Sequence, residues 1–212
     1  RFNPNYGISA IKPALDWSEY PGGANGFQGA VEMCNNNGAC RKHEGGAMCP
    51  SYRATMNERD VTRGRANTLR LALSGQLGPD AFASDEMMET LKLCVSCKAC
   101  RRECPTGVDM AKMKIEVLAA RAKKNGIGMR DRLIAFLPRY AAAGSRVGFL
   151  LNLRDKIPGL AKLSEIMLGF TARRPLPRWR GDVFAPKEAS IGPHDGREVV
   201  LFADTFNRYF EP

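Results

Sequence analysis

Apolar positions recur at helical spacing along most of this chain, in short runs cut by Gly and Pro. Between Arg63 and Ser74, the residues Ala66, Leu69 and Leu73 fall on one face ahead of Gly75, which predicts an amphipathic helix with a glycine stop. A second helix is expected after Ser84, with Asp85 and Glu86 in its first turn, where carboxylates oppose the positive helix end. Thr106 to Asp109 has the form of a capping box, and Val108, Ala111, Ile115, Leu118 and Ala122 then recur until Gly126. Residues 129–170 read as further amphipathic helices broken at Pro138, Gly144 and Pro158. Only Glu198 to Ala203 (EVVLFA) has the look of a strand, an apolar β-branched run ending at Asp204. The expected fold class is mainly α.

These patterns divide the chain into an irregular leader at 1–25, a cysteine-bearing helical domain at 26–128 and a helical appendage at 129–170. A Pro/Arg-rich linker at 171–197 and the first strand of a truncated α/β domain at 198–212 follow. The leader is rich in Pro, Gly and Asn with scattered aromatics (Phe2, Tyr6, Trp17, Tyr20), and is expected to drape over a neighbouring surface. With 212 residues and 44% hydrophobic content, a real core can be buried without disulfide staples. Apolar stretches such as Val147 to Leu153 fall far short of the roughly 20 residues a membrane span needs. A start on Arg1 and an abrupt end suggest a piece of a longer polypeptide.

The seven cysteines change the picture most. An odd count, three of them at three-residue spacing, and nothing resembling a cleavable signal peptide argue against a secreted disulfide framework. A reducing compartment is expected, cytoplasmic or peripheral at the inner membrane face. Cys94, Cys97, Cys100 and Cys104-Pro105 form the C-x₂-C-x₂-C-x₃-C-P run of bacterial-type ferredoxins. In that arrangement the triplet wraps three corners of one cubane while the fourth cysteine serves a second cluster. Cys34, Cys40 and Cys49-Pro50 repeat the logic with a longer spacer, and Asn37 stands where the middle cysteine of the triplet would be. Crossed pairing then assigns Cys49, Cys94, Cys97 and Cys100 to a complete 4Fe-4S site. Cys34, Cys40 and Cys104 are left as a three-cysteine site, suited to a 3Fe-4S cluster or to a 4Fe-4S cluster whose last iron takes Asn37, His43, water or a substrate. Structural zinc also uses four cysteines, but favours two separated C-x₂-C pairs. No nucleophile with its base, H-E-x-x-H or phosphate loop is present.

The net charge of +10 raises nucleic acid, anionic lipid or an acidic protein as partners, but basic residues beside anionic clusters offer another account. Arg41, Lys42, Lys98, Arg101 and Arg102 adjoin cysteines, and Arg101 and Arg102 are expected to raise the potential of the adjacent cluster. Aromatics are few among the basic stretches, so nucleic acid is not the expected partner.

Met33 to Lys42 (MCNNNGACRK), Met48 to Thr55 (MCPSYRAT) and Thr62 to Asn67 (TRGRAN) resemble the iron–sulfur region of FAD-linked D-2-hydroxyacid dehydrogenases of the D-lactate, glycolate and D-2-hydroxyglutarate type, including glycolate oxidase iron–sulfur subunit-like proteins. The resemblance extends to Val200 to Phe206, similar to the start of the cysteine-rich domain of that family. It implies an α-helical ferredoxin fold, similar also to the iron–sulfur subunits of succinate dehydrogenase and anaerobic glycerol-3-phosphate dehydrogenase. In the former, one triplet likewise lacks its middle cysteine and holds a 3Fe-4S cluster. Implied outside this chain are an FAD-binding domain or subunit that oxidises a 2-hydroxy acid, the cysteine-rich domain, and an acceptor such as a quinone. The expected function is relay of single electrons from the flavin site to that acceptor. Competing readings are a nucleic-acid or protein binding module stapled by a structural Fe-S or Zn site, and an open iron beside Asn37 that activates a hydroxy acid directly.

Overall fold

The computed structural model describes residues 11–184, 195–197 and 202–211. The chain divides into two compact units, 1–126 and 127–212. The described residues are largely helical and contain no strand, in keeping with the mainly α expectation.

The first unit is built on α1 (Phe27–Glu32), α2 (Pro50–Thr55), α3 (Thr62–Leu73), α4 (Asp85–Leu91), α5 (Ala99–Glu103) and α6 (Met110–Asn125). Helix α3 is central and packs against α1, α4 and α6. Its stripe of Ala66, Leu69 and Leu73 is buried as the periodicity predicts, and each leucine so buried contributes roughly 1.5–3 kcal/mol. Gly75 ends the helix at φ +76, where its N–H donates to the carbonyl of Ala72. Around α3, Phe27 meets the rings of Trp17 (5.1 Å) and Phe82 (5.7 Å) edge-on. Helix α4 starts as expected at Ser84, whose hydroxyl accepts the Met87 N–H at 3.2 Å.

Helix α6 differs from its predicted form at both start and face. It begins at Met110, and its N-cap is Asp109, whose carboxylate accepts the Lys112 N–H at 2.9 Å. Thr106 is not the cap, because its hydroxyl lies 3.3 Å from the Cys104 Sγ. The buried positions are Met110, Ala111, Met113, Glu116 and Val117, whereas Ile115 and Leu118 are 45% and 43% exposed. The described part of the leader explains this choice of face. Glu116 accepts the N–H groups of Ala14 (2.7 Å), Leu15 (2.9 Å) and the Trp17 indole (2.8 Å), so residues 14–17 lie over α6 and close the core there.

The second unit holds α7 (Met129–Ala135), α8 (Leu137–Arg146), α9 (Gly148–Leu151), α10 (Leu160–Leu168) and α11 (Thr205–Tyr209). Pro138 sits in the first turn of α8 and Pro158 precedes α10, both acting as the expected breaks. Gly144 instead lies inside α8, because the Trp179 ring rests where a Cβ would be, 2.7 Å from that point. Asn152 exchanges hydrogen bonds with the Trp179 backbone at 2.8 and 2.9 Å, and the ring meets Phe210 at 4.6 Å between centroids, inclined at 54°. The described part of the Pro/Arg-rich segment is therefore anchored on this unit through its tryptophan. Of the strand expected at 198–203, positions 198–201 lie outside the described residues; Phe202 to Asp204 lead into α11, with Asp204 capping Asn207 at 2.8 Å. Among the described residues no helix is long and apolar enough to cross a membrane.

Candidate metal centre

Two loops in the first unit carry the same backbone signature. Cys94 to Cys100 has positive φ at Ser96 (+54) and Lys98 (+57), while Cys34 to Cys40 has positive φ at Asn36 (+63) and Gly38 (+78). Each loop then turns into a short helix, with the Arg101 N–H on the Lys98 carbonyl (3.1 Å) and the Arg41 N–H on the Gly38 carbonyl (2.9 Å). Asn37 thus occupies the place in its loop that Cys97 occupies in the other. Left-handed residues on both sides of this position turn the chain so that successive side chains can wrap one centre. Both Cys-Pro pairs are followed by a hydroxyl, Ser51 at 3.5 Å from the Cys49 Sγ and Thr106 at 3.3 Å from the Cys104 Sγ.

None of the seven cysteines is in a disulfide, and four of them line one pocket: Cys49 from the head of α2, and Cys94, Cys97 and Cys100 from the loop into α5. Met48, Leu93, Val95 and Met110 supply apolar wall, and Arg65 and Thr62 of α3 complete it. Cys97 is exposed at the rim while Cys49 and Cys100 are buried. Burial pushes the Cys100 thiol up, opposed by the N–H groups of Met110 and Ala111 at the start of α6. Cys49 Sγ accepts from Arg65 Nη1 at 3.6 Å and Thr62 Oγ1 at 3.9 Å, and lies 3.5 Å from Ser51 Oγ, whose hydroxyl donates to the Asp60 carbonyl at 2.6 Å. Loop 45–48 reaches this position through Glu103, whose carboxylate accepts the N–H of Ala47 (2.7 Å) and of Met48 (3.1 Å).

Cys34 and Cys40 form a second, smaller grouping beside the start of α3. Burial pushes the Cys40 thiol up, opposed by the Arg63 N–H, with the neighbouring Cys34 adding a further upward push. Helix α5, which leads to Cys104, packs against the turn at 39–41. Burial would raise the Cys104 thiol, but the Thr106 hydroxyl and the N–H groups of Val108, Thr106 and Gly107 outweigh it, and its pKa is lowered. Asn37 is exposed; its side-chain oxygen accepts the Ala39 N–H at 2.8 Å and its amide donates to Asn35 at 2.6 Å. His43 is exposed beside the Tyr52 ring at 5.8 Å.

The donor chemistry fits iron–sulfur: soft thiolate ligands, hydrogen-bond donors aimed at sulfur, and walls that are mostly apolar. Among the described residues no three His, Cys, Asp or Glu side chains converge tightly enough to hold a single metal ion. Residues 30–108 match the family model of the 4Fe-4S dicluster domain. The chain carries a 4Fe-4S dicluster domain. It is also homologous to the D-2-hydroxyglutarate dehydrogenases of Pseudomonas putida (26% identity, covering 92% of this chain and 23% of that protein) and Escherichia coli (27%, 87% and 23%). The enzyme of the same name from Pantoea ananatis is 25% identical over 68% of this chain and 17% of its own length. The chain therefore spans under a quarter of the length of these curated relatives. No solved structure matches it.

Arg65, Ser51, Thr62, Thr106 and Glu103 surround the cysteines without belonging to the cysteine spacing that marks the sites in the sequence. One signal was there: Arg65 shares the helical face of Thr62, Ala66, Leu69 and Leu73, a charge on an otherwise inward stripe. The basic residues named instead, Arg41, Lys42, Lys98, Arg101 and Arg102, are all exposed.

Proposed function

We propose that this dicluster domain is the electron-relay segment of an FAD-dependent D-2-hydroxyacid dehydrogenase, standing between a flavin domain and an acceptor such as a quinone. The iron–sulfur role follows from the domain family; the hydroxy acid, the FAD partner and the direction of relay are suggested by the D-2-hydroxyglutarate dehydrogenases to which the chain is similar. Iron–sulfur clusters, when bound, supply one-electron oxidation and reduction.

The observation that carries the reading is that Cys49, remote in sequence, lines one pocket with Cys94, Cys97 and Cys100. These four would hold a 4Fe-4S cluster. Cys34, Cys40 and Cys104 would hold the second, as 3Fe-4S or with a non-cysteine fourth ligand. For the latter role Asn37 would first have to give up its bond to the Ala39 N–H. The protein's own contribution is to fix seven cysteines on two equivalent loops and two Cys-Pro turns, to wall the four of the first site with Met48, Met110 and Leu93, and to leave Cys97 at the rim as an edge for electron entry or exit.

Iron and acid-labile sulfide per chain on anaerobically purified protein, with electron paramagnetic resonance of oxidised and reduced states, tests this. A 3Fe-4S signal when oxidised and a 4Fe-4S signal on reduction is the expected result. Zinc without sulfide would overturn it.

A further inference from the structure

Arg65 is 1% exposed, one of the most deeply buried side chains in the protein. A guanidinium in such a place carries a desolvation cost that ordinarily demands an anionic partner. Its hydrogen bonds go to the Thr90 carbonyl (Nε, 3.0 Å), the Ser51 hydroxyl (Nη2, 3.0 Å) and the Cys49 sulfur (Nη1, 3.6 Å). The first two acceptors are neutral. Among the described residues no Asp or Glu forms an ion pair with it; the buried Asp60 near Cys49 has Arg59 as its ion-pair partner at 3.8 Å. A thiol at Cys49 would leave the charge uncompensated, whereas a thiolate carrying an anionic cluster would balance it.

We propose that Arg65 is the built-in countercharge of the cluster held by Cys49, donating a charge-assisted hydrogen bond to the Cys49 thiolate and raising the potential of that cluster relative to the other. This rests on the assignment of Cys49 to the 4Fe-4S site. Reduction adds a negative charge, and a fixed cation in a low-dielectric setting favours the reduced form. Helix α3 makes the effect local: its first turn faces the cysteine sites, so Arg65 is aimed inward by the same stripe that packs Leu69 and Leu73 into the core. Ser51 and Thr90 hold the other edges of the guanidinium plane, which fixes its direction as a lysine could not be fixed.

The test is an EPR-monitored redox titration of the full chain, anaerobically loaded with clusters, for wild type, Arg65→Lys and Arg65→Met. The midpoint of the 4Fe-4S signal is expected to fall in Arg65→Met and to fall less in Arg65→Lys, with the second cluster moving less than the first. An unmoved midpoint at wild-type iron content, or equal shifts in both clusters, overturns the role of Arg65 while leaving the relay reading intact. Absence of labile sulfide in the wild type overturns both. If Arg65→Met does not retain iron, pulsed EPR of the reduced cluster in ¹⁵N-arginine-labelled protein decides: a ¹⁵N coupling present in wild type and lost in Arg65→Lys supports the contact, and identical spectra reject it.

Discussion

The Glu103 carboxylate accepts the backbone N–H groups of Ala47 and Met48, so the residue immediately before Cys104 holds the loop that delivers Cys49. One side chain thereby couples the two Cys-Pro turns, although they are far apart in sequence. The bonds favour its ionised form, and they lower its pKa from 4.5. A depressed carboxylate pKa contributes stability that is complete above the unfolded value and lost as pH falls through the folded value. Wild type is therefore expected to melt higher than Glu103→Gln above about pH 4.5, with the two curves converging below it. Parallel Tm profiles across that range would remove Glu103 from this role.

Arg101 and Arg102 adjoin Cys100 in sequence, yet both are exposed, and the Arg101 side chain, 57% exposed, leans on Asp109 at 3.4 Å. Water and salt screen such charges. Charge reversal of either to Glu is expected to lower the potential of the nearby cluster by less than Arg65→Met does, and by an amount that shrinks as ionic strength rises. Redox titrations at low and high salt measure both. A shift larger than that of Arg65→Met and indifferent to salt would contradict the exposed placement.

What could be read in advance follows the strength of the local rule. The stripe on α3 was legible because Ala66, Leu69 and Leu73 allow a single apolar face. On α6 two faces compete: the set that runs from Ala111 through Ile115 and Leu118, and the set through Met110, Met113 and Val117, with Ala111 buried beside the second. The second won because Glu116, which looks like a surface residue, is buried to tie down residues 14–17, a partnership that periodicity cannot reveal. Gly144 has the look of a break in sequence but lies inside α8 for a similar reason, since its purpose depends on Trp179, 35 residues away. The mainly α class and the dicluster family were legible because C-x₂-C-x₂-C-x₃-C-P is a dense local motif. The surroundings of the cysteines were not, because Arg65 and Glu103 act across long sequence separations.

In the second unit, Gly144→Ala would place a methyl group 2.7 Å from the edge of the Trp179 ring. That ring has little room to retreat, being backed by Phe210 at 4.6 Å and held through its backbone by Asn152. Overpacking of this kind typically costs about 1–3 kcal/mol. Denaturant unfolding followed by tryptophan fluorescence is expected to show an earlier loss of the Trp179 environment, with cluster content in the first unit unchanged. A wild-type transition would mean that the ring moves aside freely.

Asn37 supplies the sharpest test of the difference between the two cysteine loops. It stands between two residues of positive φ, Asn36 and Gly38, as Cys97 stands between Ser96 and Lys98. A cysteine at this position needs no new backbone conformation. What Asn37→Cys gives up is two side-chain bonds, from the Ala39 N–H and to the Asn35 side-chain oxygen, each a contribution of order 0.5–1.5 kcal/mol. If the site of Cys34, Cys40 and Cys104 lacks only a fourth thiolate, Asn37→Cys is expected to abolish the oxidised-state 3Fe-4S signal, raise the iron content, and add a second 4Fe-4S signal on reduction. The second signal should couple magnetically to the first. An unchanged oxidised spectrum at unchanged iron content would show that the fourth position is closed by something other than the missing sulfur, and that the two loops differ in more than the residue at 37.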